Sequence, residues 1–278
     1  MSMSTPEQSP LGKTSAYIAE YDPTLLFPIE RQGKRDEIGI DGNDLPFAGV
    51  DIWNAYELSW LNPKGKPVVA LGEFFIPAQS PRLIESKSFK LYLNSFNQSH
   101  FASVREVAET MSADLSKAAG AEVRVTLVPL GQMGHSADVF GLPGDNIDDL
   151  DIETDQYQTD PGLLATQPGE PVHEVLNSHL LKSNCLVTGQ PDWGSVVIDY
   201  HGPKLDRAAL LKYLISFRQH NEFHEQCVER IFQDLRQHCG TDKLTVYARY
   251  VRRGGLDINP YRSNDPNFEA DNRRLVRQ

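Results

Sequence analysis

Cysteine is scarce in this chain: its 278 residues hold three, Cys185, Cys227 and Cys239. An odd number without metal-ligand spacing argues against both a disulfide framework and a zinc site, and no metal is expected. Long apolar runs are missing too, since nothing approaches the roughly 20 residues of a membrane span. The start, Met1 to Pro10, has neither a basic end nor an apolar stretch. It does not read as a signal peptide, and a cytoplasmic protein is expected. Positive charge is in deficit, with 27 Lys and Arg against 38 Asp and Glu and a net charge of -11. Such a chain repels polyanions unless its basic residues gather on one face, so direct binding to RNA or DNA is not expected; a small purine-like ligand stays open. Finally, no Gly-x-Gly-x-x-Gly follows any strand-like stretch, so a Rossmann dinucleotide domain has no support.

What is present is enough apolar sequence, 40% of residues, for one large core or two smaller ones. Residues 1-46 read as an irregular arm broken by Pro23, Pro28, Gly33, Gly39, Gly42 and Pro46. Residues 47-140 follow as a first module. Gly49 to Leu61 and Lys66 to Ile76 alternate as an antiparallel hairpin around Pro63-Lys64-Gly65. Leu83 to Phe96 and Ser103 to Ala119 show helical spacing, and Glu122 to Leu130 is strand-like again. Residues 141-170 are acidic and rich in glycine and proline, the expected linker; their carboxylates lack the glycine placement of a calcium loop. Residues 171-278 then repeat the order. Pro171 to Asn184 and Gly194 to His201 are strands, Asp206 and Asn221 open two helices, and Lys243 to Val251 and Leu256 to Tyr261 are strands around Arg252-Arg253-Gly254-Gly255. The expected class is α+β, built by structural duplication.

Four places could carry chemistry. In Ser183 to Asp192, Cys185 stands where one strand stops and Asp192 where the next begins, so a thiol and an acid can face each other across a loop. The ordinary alternative is a buried thiol and a turn residue. In Glu85-Ser86-Lys87-Ser88-Phe89-Lys90-Leu91-Tyr92, backbone N-H groups at a helix start beside a lysine suit phosphate oxygens, although an exposed charged turn explains the same charges. In Asn221-Glu222-Phe223-His224-Glu225, Glu225 can accept from the amide and amine edge of a guanine-like base while Phe223 stacks on its ring. Arg252-Arg253-Gly254-Gly255 reads either as a solvated hairpin or as an arginine beside a cofactor phosphate.

The run from Glu85 to Tyr92 resembles, at every position, the signature of the NADPH-dependent 7-cyano-7-deazaguanine reductases of queuosine biosynthesis, the QueF nitrile oxidoreductases. The stretch from Cys185 to Asp192, Phe223-His224-Glu225 and Arg253-Gly254 resemble the family's remaining motifs in the same order. The likeness covers most of the chain and is to the longer branch. It implies two tandem tunnelling-fold (T-fold) modules, each an antiparallel sheet with two helices on one face. It implies Cys185 as nucleophile and Asp192 as proton donor, with help from His224 in later steps. Ile84, Glu85, Ser86, His224 and Glu225 would bind the deazaguanine, and Ser86, Lys87, Arg253 and Gly254 would bind NADPH. With Glu85 and Glu225 in different modules, the resemblance implies a site assembled between modules, and a homodimer.

Three rivals share parts of this pattern. A thiol hydrolase would use Cys185 with Glu85 and Lys87 and release ammonia without NADPH. A pterin-making cyclohydrolase of the same fold usually needs zinc, for which the spacing offers no site. A non-catalytic purine-binding module would keep its ligand when Cys185 is changed to Ala.

Overall fold

The computed structural model describes residues 6-13, 17-132 and 140-278. Residues 1-5 and 14-16 of the expected arm, and 133-139 at the end of the expected first module, lie outside the described residues. In chain order the elements begin with β1 (Pro28–Glu30), α1 (Gln32–Glu37), β2 (Ala48–Leu61), β3 (Pro67–Pro77), β4 (Arg82–Ile84), α2 (Ser86–Ser95), α3 (Val104–Ala119) and β5 (Arg124–Pro129). They continue with β6 (Asp145–Asn146), β7 (Val172–Ser178), β8 (Lys182–Asn184), β9 (Pro191–Gly202), α4 (Arg207–Ser216), α5 (His224–Cys239), β10 (Lys243–Tyr250) and β11 (Leu256–Ser263). The protein is thus of mixed α+β class. Its described residues divide into two compact units, one drawn from Met1–Lys34, Val50–Ala137 and Arg252–Ile258, the other from Arg35–Gly49, Asp138–Val251 and Asn259–Gln278.

In the first unit β2, β3 and β5 pair antiparallel in the order β5-β3-β2. The turn between β2 and β3 forms because Asn62 Oδ1 accepts from the Lys64 and Lys66 N-H groups and Gly65 takes the left-handed conformation, φ +78°. Helix α3 carries the caps its sequence advertises. Ser103 accepts from the Glu106 N-H at the start of α3, and Gly120, at φ +77°, ends it. Apolar residues at helical spacing then meet the inward face of the strands. Phe89 lies between Trp53 and Phe74, each ring centroid 5.0 Å away, and Met111 and Leu115 close the same core.

In the second unit the sheet runs β11-β10-β9-β7-β6, with β8 paired to β9; all pairs are antiparallel except β6 with β7. Helices α4 and α5 bury Leu210, Leu214, Ile231, Phe232 and Leu235 in the same core as Val196, Ile198, Val246 and Ala248. The acidic run after Gly141 is held in this unit rather than solvated along its length. Asp148 accepts from the Ser178 hydroxyl at 2.6 Å and the His179 N-H at 2.9 Å, Arg207 pairs with Asp145, and Ile147 is buried.

The two units echo each other in detail. Helices α2 and α4 are both ten residues long, and α3 and α5 both sixteen. Glu85 and Asp206 are carboxylate N-caps at equivalent places. Tyr92 donates to Asp114 and Tyr213 to Asp234, each at 2.7 Å, within Tyr-Leu-Asn-Ser-Phe and Tyr-Leu-Ile-Ser-Phe at the ends of α2 and α4. Four of these five residues are identical between the two stretches.

Some boundaries differ from expectation. Leu83 and Ile84 belong to β4, which pairs with β1 inside the supposedly irregular arm, so the helix opens only at Ser86. The arm also contains α1. The last long helix opens at His224 rather than Asn221, because the preceding residues pair with β8: Asn184 N-H donates to the His220 carbonyl, and Glu222 N-H to that of Asn184. Pro171 to Asn184 is not continuous; His179 to Leu181 interrupt it between β7 and β8.

Candidate active site

β8 and β9 form a hairpin in which Ser183 stands opposite Asp192 and Asn184 opposite Pro191. The pairing extends one step further, as the Cys185 N-H donates to the Gln190 carbonyl at 2.8 Å and the Gly189 N-H returns to the Cys185 carbonyl at 3.0 Å. Gly189 closes this loop at φ +66°, where a side chain would be strained. Side chains two apart along a strand share a face, and directly paired residues share one too. Cys185, Ser183 and Asp192 are therefore aimed to the same side of the hairpin. Asp192 is a strand residue, not the turn residue of the ordinary reading, and both it and Cys185 are 4% exposed.

The start of α5 meets this face. Phe223 is its N-cap, with its N-H held by the Gln226 side chain at 3.2 Å, which places His224 and Glu225 as the first helical residues. His224 Nε2 lies 3.2 Å from the Asp192 carboxylate, and Glu225 is buried nearby in sequence. The helix is pinned at both flanks. Before it, the Glu222 carboxylate accepts two bonds from Arg230, at 2.7 and 3.0 Å, and one contact at 2.9 Å from His220. Within it, Glu229 sits one turn beyond Glu225 and binds the Arg35 and Arg262 guanidiniums at 2.7 to 3.0 Å. Replacing Glu229 with Leu takes the carboxylate from between two buried cations. The expected cost, on the order of 3 to 5 kcal/mol, is read from chemical denaturation.

Burial sets the state of two of the thiols. It pushes Cys227, fully enclosed and facing the Glu222 charge, well above the usual thiol range, and it lifts Cys239 to about 11. Neither is a source of thiolate near neutral pH. Burial would also raise the Glu222 carboxyl, but its bonds to His220 and Arg230 outweigh that and hold it at about 2. A depressed carboxyl stabilises the fold above its unfolded value, near 4.5, and loses that contribution as pH falls toward 2. The stability gap between wild type and Glu222→Gln, on the order of 3 kcal/mol above about pH 5, should therefore close with acidification. Thermal melts of both proteins between neutral and acid pH measure it.

The first unit holds the other motif. Ile84 is buried at the end of β4, and Glu85, fully buried, caps α2 with its own carboxylate, accepting from the Lys87 N-H at 2.6 Å and the Ser88 N-H at 2.8 Å. Burial raises this carboxyl; the N-H bonds and Lys90 pull it partway back. These donors are the ones the sequence seemed to offer to a phosphate. They are taken by Glu85, so these N-H groups are not open to an anion. Lys87 and Lys90 are three residues apart on one helix face. Lys87 Nζ reaches the Lys13 carbonyl, and Lys90 lies against Gly254, where an added Cβ would come within 3.4 to 3.6 Å of its outer side-chain atoms. Gly254 and Gly255, at φ +55° and +73°, form a two-residue hairpin turn closed by the Arg253 N-H to the Leu256 carbonyl at 2.8 Å. An added Cβ at Gly255 would come within 2.5 Å of the Glu57 side chain. The glycine turn thus brings the Arg253 backbone and Lys90 together, an arrangement that fits a phosphate of a nucleotide.

Ser86 is half-buried, its hydroxyl 3.4 Å from Glu85. Sequence reasoning nominated His224 and Asp192 separately and missed their contact. It also missed Lys90 beside the glycine turn and the Glu222 and Glu229 clusters; carboxylates and arginines scattered through the sequence carried no sign of these partners.

A buried cysteine, a strand carboxylic acid and a histidine gathered beside one helix start have the parts of an enzyme that works through a thiol. Comparison with known proteins makes the class specific. The family described as nitrile reductase, 7-cyano-7-deazaguanine-reductase N-term, matches residues 17-127, and that described as QueF-like protein matches residues 191-268. A protein of Dechloromonas aromatica (strain RCB) named NADPH-dependent 7-cyano-7-deazaguanine reductase is 62% identical over 271 residues, covering 97% of this chain and 95% of that one. Proteins of the same name from Ralstonia nicotianae (strain ATCC BAA-1114 / GMI1000) and Chromobacterium violaceum are each 61% identical, covering 99% of this chain and 100% and 98% of theirs. The chain belongs to the NADPH-dependent 7-cyano-7-deazaguanine reductase family.

Proposed function

We propose that this protein reduces the nitrile of 7-cyano-7-deazaguanine to the primary amine of 7-aminomethyl-7-deazaguanine, at the expense of NADPH, in the supply of queuosine for tRNA modification. The observation that carries the reading is the contact of Asp192 with His224 on the face to which Cys185 is aimed, in a chain with near full-length relatives bearing that name.

The chemistry needs a nucleophile first, because a free nitrile is a poor hydride acceptor. Cys185 sulfur attacks the nitrile carbon as Asp192 gives a proton to nitrogen, forming a C-S bond and turning the triple bond into the C=N bond of a thioimide. NADPH supplies hydride, one per molecule and two per nitrile. After the first hydride the carbon is tetrahedral, and departure of the Cys185 thiolate leaves an imine for the second. Each reduction adds one proton at nitrogen, the step for which Asp192 and His224 are placed. Glu85 and Glu225, with Ile84, Ser86, Phe223 and His224, take the deazaguanine. Ser86, Lys87, Arg253 and Gly254 take NADPH.

The same reading includes two tandem T-fold modules, 47-140 and 171-278, with 1-46 as an arm and 141-170 between them, a cytoplasmic homodimer and no direct contact with nucleic acid. The matching helix lengths and caps of the two units support the duplication. Purified protein should oxidise two NADPH for each amine formed. Release of ammonia without NADPH consumption would instead make it a hydrolase.

A further inference from the structure

We propose that Tyr250 is a positioning residue for this reaction: its ring fixes the plane in which His224 meets Asp192, and the side-chain amides of Asn259 and Gln278 hold Tyr250 for that purpose. The inference rests on Asp192 and His224 acting together at the site described above.

His224 is weakly held by polar contacts. Nε2 has Asp192 at 3.2 Å, whereas Nδ1, buried, has no hydrogen-bond partner among the described residues. One contact at the edge of a ring leaves the ring free to tilt about it. Tyr250 removes that freedom, stacked on the imidazole with centroids 3.8 Å apart and planes within 5°. The Tyr250 hydroxyl is buried beside the Cys227 thiol and the Ser183 hydroxyl, away from His224.

Its backbone is held in place. Tyr250 pairs with Gly194 at the end of the β9-β10 ladder. There its N-H donates to Asn259 Oδ1 at 3.1 Å and its carbonyl accepts from Gln278 Nε2 at 3.1 Å. The same Gln278 nitrogen donates to Asn259 Oδ1 at 2.7 Å, and Gln278 Oε1 accepts from Arg249 Nε at 3.0 Å and the Leu275 N-H at 3.2 Å. Two side-chain amides thus clamp both backbone polar groups of one residue. Gly194 completes the seat: a Cβ there would lie 3.1 Å from two Tyr250 ring carbons, so the strand opposite is cut back where the ring rests.

The test compares wild type, Tyr250→Leu, Tyr250→Phe and Gln278→Ala in NADPH oxidation and in the NMR signals of the His224 ring protons. Stacking displaces those signals by the tyrosine ring current, whether or not the protein turns over. Tyr250→Leu should lower kcat about tenfold with KM for the nitrile changed by less than about threefold, and should abolish the displacement. Phenylalanine at 250 should rescue both, and Gln278→Ala should lower kcat and shrink the displacement together. A folded Tyr250→Leu protein with wild-type kcat, or one that loses kcat while the displacement persists, overturns the proposal. If Tyr250→Leu does not fold, Gln278→Ala decides by the same two readouts, and wild-type values for both overturn it. Failure of wild type to oxidise NADPH would instead remove the proposed function, leaving the ring signals to report on the stack.

Discussion

Cys185→Ala should abolish nitrile reduction, lowering NADPH oxidation by at least about a thousandfold while leaving 7-cyano-7-deazaguanine bound within a few-fold of wild type. The size follows from what the sulfur does. Without the C-S bond the acceptor is a nitrile, not an imine-like carbon, and neither remaining thiol can substitute. Burial keeps Cys227 and Cys239 protonated near neutral pH. Binding survives because the residues assigned to the base edge, Glu85 and Glu225, are untouched. Steady-state kinetics and calorimetry measure the two effects separately. Retained turnover would remove Cys185 from its role, and lost binding would make it a structural residue.

Asp192→Asn should lower kcat by roughly 100- to 10,000-fold, the range for loss of a positioned proton donor, with substrate binding little changed. The asparagine is nearly isosteric, so the strand pair with Ser183 is preserved and an oxygen can still face His224. What is lost is the proton for the nitrile nitrogen. Because that proton is needed as the C-S bond forms, the covalent step should slow as well, which stopped-flow absorbance of the thioimide would resolve. Normal turnover in the variant would remove Asp192 from proton transfer.

Much of this arrangement is legible in local sequence because caps and turns are local devices. Ser103 and Gly120 bound α3 where read, Asp206 opens α4, Gly240 ends α5 at φ +63°, and Gly254-Gly255 turn the last hairpin. Boundaries fail where a distant strand competes for the backbone. Leu83 and Ile84 have helical spacing but pair with β1, and Asn221 is an excellent cap residue drawn instead into a bridge with Asn184. The site divides the same way. Cys185 and Asp192 are legible because a short hairpin brings residues seven apart onto one face. The bond from Arg35 to Glu229 crosses 194 positions, and the Tyr250 ring reaches His224 from the end of β10; nothing local records either. Glu85 shows a subtler limit. Its place at the helix start was clear, but that its carboxylate would occupy the first-turn N-H groups depends on burial, which only the packed fold supplies.

The central claim is a covalent bond between Cys185 and the substrate nitrile, and intact-protein mass spectrometry after mixing with 7-cyano-7-deazaguanine, without NADPH, tests it most directly. The account predicts a gain equal to one substrate molecule, mapped to Cys185 by peptide digestion and absent from Cys185→Ala. An unmodified wild-type protein, or an adduct at Cys227 or Cys239, would contradict it.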